Sequence, residues 1–450
     1  MASAAEQLAR NMNFASFAQA KELQKRILFT LLVLVIYRIG TYVPIPGIDP
    51  EVFRQTWENQ QGGILGNLNI FAGGAVERMA IFALNVMPYI SASIIMQLMA
   101  ATVPSLERMK KEGGEQGRKQ INQYSRYLTV LLAAVQAFAL AIGMEQVNSS
   151  GVSAAVDPGW FFRITVVVTL VGGTMFLLWL GEQITARGVG NGVSLIIFAG
   201  IIAEMPRALF GLLAQGEEGT IGGGTILVAL LLMLAVLVFV VFIERAQRRL
   251  LVQYPKRQVG NRMMGGESSF LPLKLNTAGV IPAIFASSLL FLPQTIAGFT
   301  AQGGGPEWLR TVAALLGPGQ PLFIAFYAGL IIFFCFFYTS IVFNPEDTAE
   351  NLRKHGGFLP GIRPGKRTAE YLDYVLSRLT VIGAGYLTIV CVFPEVLRAQ
   401  APGIPFYIGG TAVLIVVSVT LDTVTQIQSH LLAHQYEGLI KKTKLRGRKR

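Results

Sequence analysis

Charge is scarce in this chain. Asp, Glu, Lys and Arg make up 14% of its 450 residues, well under the quarter usual for soluble domains. There are two cysteines and three histidines. So few cysteines exclude a disulfide scaffold. Cys335 and Cys391 both fall inside apolar runs, where they read as small buried hydrophobes. His430 and His434 share a helix face at i,i+4, a spacing found in zinc sites, but no Cys, Glu or third His stands at ligand spacing beside them. The glycine run Gly188-Val189-Gly190-Asn191-Gly192 fits neither the dinucleotide nor the Walker pattern. No metal and no cofactor is expected, and nucleotide-driven work would fall to a partner protein.

Apolar residues are abundant, at 52%, with aromatics at 10% and 48 glycines. This composition excludes a soluble globular domain and a disordered chain, and leaves a protein whose solvent is mostly lipid. A helix needs about 20 mainly apolar residues to cross the hydrocarbon. Ten runs qualify, near 25–43, 78–98, 123–143, 162–181, 192–210, 223–243, 276–297, 321–343, 376–395 and 405–424. The first 25 residues are polar and the first run ends without a small-residue cleavage site, so that run is expected to stay as an anchor. A further apolar piece near 62–76 is too short to span and is expected to be interfacial or re-entrant.

The net charge of +12 could suggest nucleic acid, but the positives lie in short loops between apolar runs. With both termini placed in the cytoplasm, all but seven of the 38 Lys and Arg fall on the cytoplasmic side; the seven are Arg38, Arg54, Arg78, Arg163, Arg207, Arg310 and Arg398. That asymmetry is the signature of membrane topology, and it also suits anionic headgroups. Five runs precede the polar stretch near 204–222 and five follow it. Two alike halves with an odd number of spans must have inverted topology. The expected organisation is a cytoplasmic segment 1–24, a half 25–210, a half 211–424 and a basic cytoplasmic tail 425–450. Two basic loops, 244–275 and 344–375, are candidate docking surfaces for a cytoplasmic partner.

No run carries charge near its middle; Glu77, Arg78, Glu182, Glu244, Arg378 and Asp422 lie at ends. Pumps, proton relays and voltage sensors need ionisable groups at depth, so their absence disfavours a small-solute transporter, which would also predict ten spans. An intramembrane enzyme is disfavoured because no His, Asp or Glu lies at depth. The interior polar residues are Asn85, Ser91, Gln97, Gln136, Asn276 and Thr277. Each could make a hydrogen bond that merely stabilises packing, or contribute to a weak seam between helices that part.

Several motifs resemble one family. Pro44-Ile45-Pro46-Gly47 follows the first run. Asn85-Val86-Met87-Pro88-Tyr89-Ile90-Ser91-Ala92-Ser93-Ile94 lies in the second, and Gly181-Glu182-Gln183-Ile184-Thr185 precedes the fifth. Ala278-Gly279-Val280-Ile281-Pro282-Ala283-Ile284-Phe285-Ala286 lies in the seventh, with Phe343-Asn344-Pro345 and Gly361-Ile362-Arg363-Pro364-Gly365 beyond it. Together, and in this order from about residue 20 to 440, they resemble the SecY family of preprotein channels, in its bacterial branch.

The resemblance implies an all-α polytopic membrane protein of the bacterial inner membrane. Ten transmembrane helices would form two inverted five-helix halves, with a re-entrant plug helix near 62–76. Its role would be to pass unfolded preproteins and to release hydrophobic segments sideways into lipid. The implied pore ring is Val86, Ile90, Val193, Ile197, Ile284 and Ile415. Ser91, Gln136 and Asn276 map to a polar cluster at the lateral gate. Arg257 and Arg363 map to loops that dock the motor ATPase SecA and the ribosome. The implied partners are SecE and SecG in a heterotrimer, SecA, the ribosome, signal-peptide substrates, membrane lipids and accessory Sec components. Branched aliphatic side chains give water and ions no partner, so a narrow ring of them dewets, yet it closes around a passing chain of any sequence.

Overall fold

Hydrocarbon offers no partner to an amide or carbonyl, so a chain this apolar must satisfy its backbone within its own helices. A computed structural model describes residues 20–49, 51–53, 69–146, 148–149, 152–153, 155–217, 222–255, 257–259, 262–264, 268–290, 311, 315, 320–400 and 410–447. The expected plug residues Gly62, Gly63 and Gly66, and the outer arginines Arg54 and Arg310, lie outside them, as does the side chain of His434.

The helices are α1 Lys21–Gly40, α2 Met87–Thr102, α3 Pro104–Glu112, α4 Gly114–Gln146, α5 Trp160–Arg187, α6 Gly192–Glu217 and α7 Gly223–Arg245. They continue with α8 Ile281–Leu290, then α9 Pro321–Val342, α10 Pro345–Lys354, α11 Lys366–Gln400 and α12 Gly410–Gly447. Each of the ten expected spans overlaps one of these helices. Among the described residues seven are long and apolar enough to cross a membrane, or eight when the bent pair α2–α3 counts as one span.

The described residues form two compact units. One comprises those of Met1–Leu209, Leu292–Ala314 and Ile415–Arg450, the other those of Phe210–Phe291 and Leu315–Leu414. In the first, α1 buries Leu23, Thr30, Val33, Tyr37 and Gly40, a stripe at helical spacing. Its other face leaves Leu28, Leu31, Leu32, Val35 and Ile39 more than half exposed. An apolar face left uncovered in this way suits a lipid neighbour. The turn after α5 is tied on two sides. Val189 N donates to Thr30 Oγ1 at 3.1 Å, and Gly190 N donates to Gln426 Oε1 on α12 at 2.8 Å. Leu23, Val189 and Leu431 share one buried cluster there.

In the second unit α9 lies against α11, and the Tyr327 and Thr411 hydroxyls are hydrogen-bonded at 2.7 Å. The two expected docking loops are not separate. Strand Gln247–Gln253 runs antiparallel to Ser268–Lys274, and Gln253 exchanges both backbone bonds with Phe358 of the second loop at 2.9 Å. Leu250 and Val252 alternate inward along the strand and share a core with Leu273, Ala349, Leu359, Leu372, Val375 and Leu379. The loops therefore form one small body with its own apolar centre.

Several boundaries differ from the expected ones, for local reasons. The run at 78–98 does not become helix until Met87, because Met79 and Asn85 have φ of +43° and +49°. These values lie in the left-handed region, which interrupts a right-handed helix. The described part of the plug piece is a single helical turn at 69–71 followed by turns. The α2–α3 bend of 100° falls at Val103, held extended (ψ 115°) before Pro104, as expected for a residue preceding proline. Asn344 caps α10 by accepting from Glu346 N and Asp347 N. α11 begins at Lys366, inside the expected loop, and α12 runs on to Gly447, through most of the expected tail.

Helices α5 and α6 meet at two glycines. A Cβ on Gly192 would overlap the carbonyl of Gly181, so no side chain fits between them. Gly192→Val should destabilise the fold by about 1–3 kcal/mol, the usual range for overpacking. A fall in melting temperature in detergent checks this; an unchanged melting temperature would show that the α5–α6 approach is not needed.

Candidate functional site

The residues expected to form the ring fall in both units. Val86 is the N-cap of α2, and Ile90 N donates to Val86 O at 3.1 Å, so the two stand one turn apart. Val86 and Ile90 are 0% and 7% exposed. Val193 and Ile197 stand one turn apart on α6, partly and fully buried, and Ile415 on α12 is buried. All five belong to the first unit. Ile284, on α8 in the second, is partly buried. Every position is uncharged and aliphatic.

The polar positions divide likewise. Ser91 on α2 and Gln136 on α4 are both buried, on helices that lie against each other in the first unit. Asn276 sits in the second unit and is engaged there. Its Nδ2 donates to Glu244 Oε1 at 2.7 Å and to the Gly279 carbonyl at 3.0 Å. Gly279 has φ of +64°, which suits glycine, and the chain turns there into α8. Asn276 therefore fixes the entry to α8 from the end of α7. Sequence reading placed Glu244 at a helix end but did not foresee this partner. Its charge makes the hydrogen bond stronger than a neutral one, about 1.5–3 kcal/mol.

Asn85 is also used locally: Nδ2 donates to the Phe71 carbonyl, and Oδ1 accepts from Val86 N at 2.8 Å. It joins the 69–71 turn to Val86. Gln97 donates to Ser93 Oγ at 3.3 Å, within α2. Thr277 Oγ1 donates to the Lys274 carbonyl at 3.1 Å.

The two arginines expected to dock a partner lie in the second unit, the side chain of Arg257 outside the described residues. Arg257 opens the short strand Arg257–Val259, paired with Arg262–Met264. Arg363 is exposed in a turn flanked by Gly361 and Gly365, at φ of +81° and +105°. Its carbonyl accepts from Thr368 Oγ1 at 2.9 Å, which holds the turn at the start of α11.

Sequence reading missed the ion pairs near helix ends. Arg126 donates to Glu182 at 2.6 Å between α4 and α5. Arg163 forks onto Glu145, with Nη2 at 2.7 Å. Arg207 is bidentate to Glu77, both bonds 2.7 Å. The available signal was an arginine near the end of one span with a carboxylate near the end of another.

This is a polytopic helical membrane protein whose described helices include seven long and apolar enough to cross a membrane. Its fold matches a solved protein conducting channel with a TM-score of 0.62, at 18% identity over 90% of this chain and 92% of that one. The SecY family model matches residues 80–424. The protein translocase subunit SecY of Escherichia coli K12 is 51% identical over 427 residues, 95% of this chain and 96% of that protein. That of Pseudomonas aeruginosa is 52% identical over 426 residues, 95% of each. The chain belongs to the SecY family.

Asn276→Leu removes a donor from the Glu244 carboxylate and frees the turn into α8. It should shift the hydrophobicity needed for a test segment to enter the bilayer. The shift should be worth about 1–2 kcal/mol, the scale of one interhelical polar contact. Insertion of a graded series of segments checks this, and an unmoved threshold rejects a gating role for Asn276.

Proposed function

We propose that this chain is the channel-forming subunit of a protein translocase, passing unfolded preproteins across the membrane and releasing apolar segments sideways into lipid. The observation that carries the reading is 51% identity to a translocase subunit across 95% of the chain, with an uncharged aliphatic residue at every ring position. Val86, Ile90, Val193, Ile197, Ile284 and Ile415 form the ring in this reading. A charged ring would sort substrates by sign, whereas an apolar one excludes hydrated ions and accommodates any side chain in an extended polypeptide.

Release into lipid follows from the balance of two small energies. Interhelical polar contacts are worth about 0.6–2 kcal/mol each. Apolar burial contributes roughly 25 cal/mol per Å², so about 80 Å² of apolar surface offsets one strong contact. A hydrophobic segment exceeds this easily and a polar one does not. The gate therefore opens for signal sequences and membrane spans, with Ser91, Gln136 and Asn276 setting the threshold.

The two halves are related by inverted topology, and 62–76 is the plug. Both termini are in the cytoplasm, and the membrane is the bacterial inner membrane. The basic body carrying Arg257 and Arg363 meets SecA or the ribosome, while SecE and SecG complete the complex within the bilayer. Joining the two loops through one core supports a rigid docking platform, since a partner that pushes a chain needs a surface that does not yield.

A photocrosslinker at Ile284 should capture a stalled secretory chain; capture only at lipid-facing positions would remove Ile284 from the ring. Arg363→Glu should leave the channel folded and lower SecA-driven transport at least about tenfold, by reversing one docking charge. Normal transport by the purified variant would reject the docking role.

A further inference from the structure

Residues 69–78, the described end of the proposed plug and its tether, are gripped by neutral contacts and by ionic ones. Tyr37 OH donates to the Ala72 carbonyl at 3.2 Å, and Arg38 Nη1 donates to the Gly73 carbonyl. Gly73 and Gly200 of α6 approach so closely that a Cβ on Gly73 would stand 2.9 Å from the Gly200 Cα. Around these contacts lies a lattice of charge. Glu77 has a 9% exposed side chain and takes both prongs of Arg207. Its Oε2 also accepts from Asn69 Nδ2 at 3.3 Å, while its own N–H donates to Asn69 Oδ1 at 2.9 Å. Glu204, 12% exposed, stands 3.9 Å from both Arg38 and Arg78. Arg78 lies over the Tyr42 ring at 4.2 Å.

The signs interlock. The segment contributes one carboxylate, Glu77, and one guanidinium, Arg78, while α6 contributes the complement, Glu204 and Arg207. The two residues on α6 are three apart and so lie on one face. A bidentate guanidinium–carboxylate pair fixes orientation as well as distance. Nearly buried carboxylates depend on their cations, because an unpaired charge in such a place is costly.

We propose that Glu77–Arg207 and Arg78–Glu204 form an ionic latch that holds residues 69–78 on the outer end of α6, so that the charges at these positions set how tightly the idle channel is sealed. The inference rests on the channel reading. An inserting chain that displaces the segment must part these pairs first, and water entering behind it would screen them as it does so. Release is then self-reinforcing, because each hydrated pair weakens the remaining one.

The test is idle ion conductance of the reconstituted complex in planar bilayers, with preprotein passage measured in the same membranes. Glu77→Arg and Arg207→Glu should each raise idle conductance about tenfold by stranding a charge. The double exchange, Glu77→Arg with Arg207→Glu, should return it toward the parental value. Arg207→Gln, at the exposed partner, should give a smaller rise without reversing charge. Arg163→Gln, which breaks the Glu145 pair elsewhere in the same unit, should leave it unchanged. Preprotein passage with unaltered conductance in all single variants would overturn the latch, as would a double exchange that leaks like the singles or an equal leak from Arg163→Gln. Parental membranes that pass no preprotein would overturn the channel reading instead.

Discussion

Hydrocarbon has no dipole to offer, and most of this molecule follows from that. Backbone amides close within helices, and charges retreat to the ends of spans, where water or a partner neutralises them. Four arginines show the second rule. Arg38, Arg78, Arg163 and Arg207 all stand beside carboxylates, at Glu204, Glu145 and Glu77. Their pairing leaves the apolar spans uncharged at depth, which a sealed channel for arbitrary polypeptides requires.

A protein that must open cannot be uniformly helical. Two expected spans begin late, each behind a left-handed residue. Asn85 precedes α2 and Gly279 precedes α8. Both breaks are held by an asparagine. Asn85 bonds to the Phe71 carbonyl, and Asn276 bonds to Glu244 and the Gly279 carbonyl. Irregular backbone is tolerated at membrane depth where protein surrounds it, and Asn85 is 1% and Asn276 3% exposed. The proposed ring residues Val86 and Ile284 follow these breaks by one and five positions. Small local hydrogen bonds thus orient side chains proposed to line the path.

Much of the helical architecture was legible because the bilayer imposes a length. A run such as 223–243 reads as a span from apolarity alone, and α7, Gly223–Arg245, covers it with two residues to spare at its C-terminal end. Helix ends were less legible. Asn85 and Met79 leave the helical region through contacts with residues 71 and 45, which no local pattern announces. The motif resemblance named ring and gate positions, but the Glu244 partner of Asn276 lies 32 residues away in sequence.

Composition, the spacing of apolar runs and the placement of Lys and Arg determined that the chain is a polytopic membrane protein with ten candidate spans. These are solvation properties, and each segment carries its own solvation energy wherever it sits. Tertiary structure alone decided that the two basic loops share one core, that Asn276 serves Glu244, and that Glu77 meets Arg207 across 130 residues. Such pairings depend on which faces are brought together. A carboxylate at a helix end is compatible with many cations until packing leaves one of them within reach.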